Sequence, residues 1–273
     1  QFGSSRRWLA IIMILRKFIG QRMGSYYAQS ADAVVGSSPM GDPIQFRRLW
    51  GEYHWKRVLD QMYRQDNNGH WFTPVELFRP YYSNTVANCI AQHTKDSTTQ
   101  AHGDTPIDIL ELGGGRGTNA IAVLDHLKQT EPELYERVKY TILDASPTLH
   151  KLQKDRLLAT DHAKKVSFIR QDLALVADGK TLLPPSENIT FVVALEVLDN
   201  LPHDKIRTRA GSQKNTQQYL EQCTVKQNRK DGSWEEHFVP LADPLIQKIL
   251  RCAPSYAYNS ATWVPIIALG LLH

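Results

Sequence analysis

From residue 107 to residue 195 the chain alternates short apolar runs with longer stretches of helical spacing. Residues 107–112, 138–143, 166–169 and 189–195 read as strands, and the last is apolar at nearly every position. A run apolar on both faces predicts a central strand of a parallel sheet covered by helices on each side. Residues 118–128 place Ile121, Leu124 and Leu127 on one helical face. Ser146-Pro147 opens a further helix that continues to about Leu158. Strands alternating with helices imply right-handed βαβ units in a doubly wound sheet.

The flanks are less regular. Residues 44–63 space Phe46, Leu49, Trp50, Tyr53, Val58, Leu59 and Met62 roughly as a helix. After a polar break at 65–70, Thr73-Pro74-Val75-Glu76 reads as a capping box, with Thr at the N-cap, Pro at the first helical position and Glu at the third. The helix behind it groups Tyr82, Val86, Cys89 and Ile90, and the polar run 94–105 reads as a loop. Residues 207–217 read as a loop, 219–225 and 234–241 as a hairpin about Lys230-Asp231-Gly232, and 243–252 as a helix. These patterns divide the chain into a leader-like segment (1–31), an N-terminal helical extension (32–105) and an α/β domain (106–273).

Composition narrows the class. With 42% hydrophobic and 22% charged residues the chain has the make-up of a globular protein, which excludes wholesale disorder. The net charge of +4 is concentrated at one end: residues 1–31 hold Arg6, Arg7, Arg16, Lys17 and Arg22 and no acid. The remainder is close to neutral, so the bulk charge gives no reason to expect nucleic acid as a partner. An acid-free, Arg-rich, Ser-containing leader points to mitochondrial import. Its apolar stretch stops at Arg16 and Lys17, far short of a membrane span. Cys89, Cys223 and Cys252 form no CxxC pair, and the histidines make no HExxH pattern, so neither a disulfide scaffold nor a metal site is expected.

The most informative stretch is Glu111-Leu112-Gly113-Gly114-Gly115-Arg116-Gly117-Thr118. A glycine loop between a strand and a helix lets the backbone approach a ligand at the strand's carboxyl end. Dinucleotide sites want GxGxxG and an acid roughly 20 residues on. Here the spacing is GxGxG, the sixth position is Thr118, and Asp144 lies further away, so the fit to a nicotinamide cofactor is poor. S-adenosylmethionine suits the pattern better: its sulfonium, amino group and ribose hydroxyls can all be met by carboxylates. Glu111, Asp144 and Asp172 follow the first, second and third strands in order. Asp144 stands where a ribose-binding acid is expected, and Asp172 where an acid could accept from the adenine amine. Each could instead cap the next helix or lie in solvent.

At this point four segments together resemble one family. They are Phe72-Thr73-Pro74-Val75-Glu76-Leu77-Phe78-Arg79-Pro80, the glycine loop, Leu143-Asp144-Ala145-Ser146-Pro147, and Ala194-Leu195-Glu196-Val197-Leu198-Asp199-Asn200-Leu201-Pro202. The combination is similar to the MidA family of mitochondrial class I methyltransferases tied to respiratory complex I assembly, over about residues 44–250. The resemblance implies a Rossmann-like class I methyltransferase sheet and S-adenosyl-L-methionine as cofactor. It implies Thr73, Glu76, Gly113, Gly115, Gly117 and Asp144 around that cofactor, and Glu196 and Asp199 facing the methyl acceptor. The implied acceptor is arginine on a protein substrate such as a complex I subunit. Leu195 departs from the Asn that precedes this Glu in animal and bacterial members. A class I sheet has seven strands and only four are legible here, so the C-terminal strands are expected to be missing. A non-catalytic assembly factor that keeps the fold is the alternative.

Overall fold

The apolar runs pair as strands, and the stretches between them coil against their faces. The computed structural model describes residues 12–27, 44–65, 72–97, 105–173, 183, 186–197, 200–209, 219–228 and 230–252. In chain order the elements are β1 (Ile12–Ile14), α1 (Leu15–Tyr27), a 3-10 turn (Phe46–Arg48), α2 (Glu52–Gln65), α3 (Pro74–Leu77), α4 (Tyr81–Ser97), β2 (Ile107–Leu112), α5 (Thr118–Thr130), α6 (Pro132–Arg137), β3 (Val138–Asp144), α7 (Pro147–Leu157), β4 (Val166–Arg170), β5 (Ile189–Ala194), β6 (Ile206–Arg209), β7 (Tyr219–Gln227), β8 (Trp234–Pro240) and α8 (Pro244–Cys252).

The chain forms two compact units, one of residues 25–175 and 181–199, the other of residues 1–24, 176–180 and 200–273. These divisions differ from the boundaries at 31 and 105 expected from the sequence. The first unit holds a parallel sheet in the order β4-β3-β2-β5, with Ile107 level with Val138 on one side and Ile189 on the other. Successive strands β2, β3 and β4 step in one direction and β5 joins on the opposite side of β2. The strand order therefore reverses at the carboxyl end of β2, the position at which open α/β sheets bind ligands. This is a Rossmann-like arrangement of a parallel sheet with flanking helices.

The core lies between sheet and helices. Ile107, Ile109, Tyr140 and Ile142 from the strands meet Ala120, Val123, Leu124 and Leu127 of α5, Leu157 of α7, and Ala87 and Ile90 of α4. Ser146 caps α7, its hydroxyl accepting from the Leu149 N–H at 3.3 Å, as the Ser-Pro start suggested. A smaller cluster joins Met62 of α2 to Phe72, Leu77 and Phe78 around α3.

Four local expectations are corrected. The helix α4 runs through 94–97 rather than stopping before 94, and its buried seam is Ser83, Ala87, Ile90, Ala91 and Thr94, while Cys89 is exposed. Small residues form that seam because they let α4 approach its neighbours closely, whereas the sequence reading weighted large side chains. Ile121 is only partly buried on α5. The strand β5 lies at the end of the described sheet, with Val192 56% exposed, rather than covered on both faces. Part of the loop expected at 207–217 is strand β6.

In the second unit, β7 pairs antiparallel with β8, β6 and β1. The hairpin and the helix expected after it are both present. Leu15 of α1 is buried with Cys223 and Val225, and the Arg16 guanidinium meets Asp204 and Asp243, each at 2.7 Å. Residues 12–24 of the leader-like segment are thus packed into this unit.

Candidate cofactor and active site

The glycine loop follows β2 and turns back through backbone conformations that side chains disfavour: φ is 68° at Gly113, 52° at Gly115 and 77° at Gly117. Gly113 has no room for a side chain, since a Cβ there would stand 2.6 Å from Cγ2 of Val197. At Gly115 a Cβ would meet nothing within 4 Å, so the loop leaves open space above that residue.

Asp144 closes this space from β3. Its Oδ1 accepts from the Ser146 N–H at 2.9 Å and its Oδ2 from Gln153 Nε2 at 2.9 Å, while the Gly115 backbone also bonds to the carboxylate. Burial raises the Asp144 pKa from its usual value, and these hydrogen bonds pull in the opposite direction. The same Gln153 Nε2 donates to the Gly115 carbonyl at 2.9 Å. One fully buried amide thus ties the glycine loop to the acid.

Glu111, at the end of β2, is buried and engaged within the fold. Its Oε1 accepts from Asn119 Nδ2 at 2.9 Å and its Oε2 from the Tyr140 hydroxyl at 3.1 Å. Burial lifts its pKa to about 7, against the lowering effect of those two donors. From α7, the Arg156 Nη1 donates to the Arg116 carbonyl at 2.6 Å and to Thr118 Oγ1 at 3.0 Å. Arg156 therefore braces the loop where it enters α5.

Thr73 holds the N-cap of α3 in an extended conformation and Pro74 opens the helix, but the Thr73 side chain makes no capping bond. The Thr73 half of the capping box therefore does not form. Glu76 is 3% exposed, and its carboxylate has neither hydrogen bond nor ion pair among the described residues.

Asp172 is exposed, two positions beyond β4. Its neighbour Gln171 donates its backbone N–H to the Asp144 carbonyl at 3.1 Å, and its buried Nε2 has no hydrogen-bond partner among the described residues. Glu196 follows β5 with φ 55°, the one non-glycine residue among those described with a positive φ. Such strain concentrates at functional sites. Asp199 lies outside the described residues. The sequence reading did not single out Gln153, Gln171, Arg156, Asn119 or Tyr140. The bonds of Gln153 and Arg156 to the glycine loop and of Tyr140 to Glu111 span 29 or more residues, so no local motif marks them.

A family model described as "Putative S-adenosyl-L-methionine-dependent methyltransferase" matches residues 85–272. The chain belongs to this family. Its cofactor is S-adenosyl-L-methionine, as the glycine loop and its acids implied. Among solved structures, this methyltransferase-family chain is similar to a COG1565 superfamily member from Burkholderia thailandensis, taken to be a methyl transferase and bound to S-adenosyl-homocysteine. The TM-score is 0.56 at 18% identity, over 88% of this chain and 49% of that one. A native structure of a COG1565 superfamily protein from the same organism matches at 22% identity over 64% of this chain and 38% of that one, with a TM-score of 0.44. The first likeness establishes the fold, and the chain spans about half the length of that structure. No curated protein matches the chain.

The residues present fit the methyltransferase cofactor. Open space over Gly115 admits a ligand at the strand ends, beside the buried Asp144 carboxylate. Glu76 is buried, and its carboxylate could accept from an ammonium group such as that of the cofactor's methionine portion.

Glu111 also makes stability depend on pH. Its folded pKa lies above the usual 4.5, so the folded chain holds its proton more tightly than the unfolded chain. The resulting stabilisation is full below about pH 4.5 and is lost as pH rises through about 7; the shift corresponds to roughly 3 kcal/mol. Melting curves of Glu111→Gln are expected to depend less on pH between 5 and 8 than those of the parent. An unchanged slope would assign the titration elsewhere. Asp144, shifted in the same direction, leaves a residual slope of the same sign.

Proposed function

We propose that the chain takes part in methyl transfer from S-adenosyl-L-methionine to an arginine side chain of a protein, in mitochondria and in support of complex I assembly. One observation carries the catalytic part of this reading. Glu196 is held in a left-handed conformation directly after β5, and the next residue, Val197, packs on Gly113 of the cofactor loop. That arrangement keeps a carboxylate-bearing residue beside the cofactor loop at a cost in backbone energy.

The cofactor, when bound, supplies an electrophilic methyl group. A guanidinium stays charged at any physiological pH, and a carboxylate can accept two of its N–H bonds at once. Glu196 and Asp199 would hold the acceptor in this way and turn one nitrogen toward the methyl. The C–N bond would form as the bond between methyl and sulfur breaks, S-adenosylhomocysteine would leave, and the nitrogen's proton would pass to the Glu196 carboxylate during that step, so neither acid need deprotonate the guanidinium beforehand. Thr73, Glu76, Asp144 and Asp172 would contact the cofactor directly, and Glu111 would position the loop.

The motifs shared with the MidA family support the arginine acceptor and the link to complex I. The Arg-rich, acid-free start of the sequence supports the mitochondrial location. Radiolabelled S-adenosyl-L-methionine, the purified chain and isolated complex I subunits test the reading, with tandem mass spectrometry of any labelled band. Methylarginine on one subunit is expected. Label in RNA or in a small molecule would replace the acceptor. Cofactor binding without transfer to any subunit would favour a non-catalytic assembly factor.

A further inference from the structure

The helix α5 buries Asn119, Ala120, Val123, Leu124 and Leu127. Its opposite stripe lines a cavity of about 340 Å³, with Ile121, Asp125, His126 and Gln129 on one wall and Arg79, Asn84 and Arg156 on the others. That volume lies at the small end of ligand sites.

Charge is unevenly distributed along this cavity. Arg79 and Arg156 both line it. Burial is the main influence on the Arg156 guanidinium and lowers its pKa; the Glu76 carboxylate is the strongest charge acting on it and opposes this, and the guanidiniums of Arg116 and Arg79 add smaller lowering effects. Arg156 makes no ion pair within 4 Å among the described residues; its recorded partners are the carbonyl of Arg116 and the hydroxyl of Thr118. Those two bonds fix one guanidinium nitrogen and pre-organise the group, so a ligand need not order it. The acid in the cavity, Asp125, stands about 10 Å along the helix from Thr118, from the rise per residue. It is already engaged by His162 at 3.0 Å. Between the two ends, Asn84, His126 and Gln129 offer polar atoms and Ile121 an apolar surface.

We infer that this cavity is a second ligand site, separate from the cofactor loop, that takes a small organic oxyanion. Its head, a phosphate or a carboxylate, lies against Arg79 and Arg156, and a body of about one ring lies along α5. Charge-assisted bonds from two arginines suit such a head.

Calorimetric titration of the full chain with inorganic phosphate, phenyl phosphate and benzoate tests this. Saturable one-to-one binding is expected, tighter for the ring-bearing anions than for phosphate, and the preference between the two names the head group. Arg79→Gln should weaken binding about tenfold or more, the size expected for one lost charged hydrogen bond. Asn84→Asp, which puts a negative charge in the wall without touching either arginine, should weaken it as well. Melting temperatures close to the parent establish that both variants fold. Binding that persists under saturating S-adenosylhomocysteine supports a separate site. Competition between the two would make this a subsite of the cofactor and overturn the inference. So would equal affinity in parent and folded variants, or binding that never saturates.

Discussion

Replacing Gly115 with valine is expected to abolish S-adenosylhomocysteine binding while the chain stays folded. The residue combines two properties that its neighbours do not share. Its φ of 52° is costly for a β-branched side chain, by about 1–2 kcal/mol, which a folded domain can absorb. Its Cβ direction is open, with no protein atom within 4 Å of a Cβ placed there, so a valine side chain projects into the ligand space. Gly113 is the contrast: a Cβ there would collide with Val197 at 2.6 Å, so its substitution disturbs the fold before the ligand is reached. Calorimetry with S-adenosylhomocysteine reads the first effect, and thermal denaturation separates it from unfolding. A Gly115→Val chain that binds as well as the parent would move the cofactor away from this loop.

The second large effect is expected at Glu196. Glu196→Gln keeps the shape and the strained backbone but removes the charge that would hold a guanidinium. Turnover should fall by about 10²–10⁴, the usual contribution of a positioned acid or base, with S-adenosylhomocysteine affinity unchanged. Single-turnover methyl transfer and calorimetry on the same preparation give the comparison. Loss of both together would make Glu196 a structural residue. Glu196→Gly separates strain from chemistry. It relieves the φ of 55° and should stabilise the chain by about 1 kcal/mol, yet it should be as inactive as Glu196→Gln.

The anion site on the outer stripe of α5 stands independently of both results. It depends on Arg79 and Arg156 rather than on the open space above Gly115. Arg156 nevertheless belongs to both regions, because its two hydrogen bonds end on the glycine loop and on the first residue of α5.

Glu76 shows how a local motif can mislead. Thr-Pro-x-Glu has the spacing of a capping box, and the backbone does start a helix there. The Thr73 side chain makes no capping bond, and the Glu76 carboxylate is buried. The helix α4 teaches a related point. Its seam of Ser83, Ala87 and Ala91 carries little hydrophobicity, so periodicity of large residues pointed to Cys89, which is exposed.

The sequence by itself determined the parallel sheet, the glycine loop and the acid at the end of β3. Their signals are local: a run of apolar residues, a close set of glycines, a residue at a strand's end. The tertiary structure decided which of these side chains remain available. Glu111 is consumed by Asn119 and Tyr140, and Asp144 is clamped to Gly115 by Gln153. It also decided that Glu76 is buried and that Arg79 and Arg156 line one cavity. Hydrogen bonding and burial depend on distance in space, and residues far apart along the chain become neighbours only when the strands and helices pack.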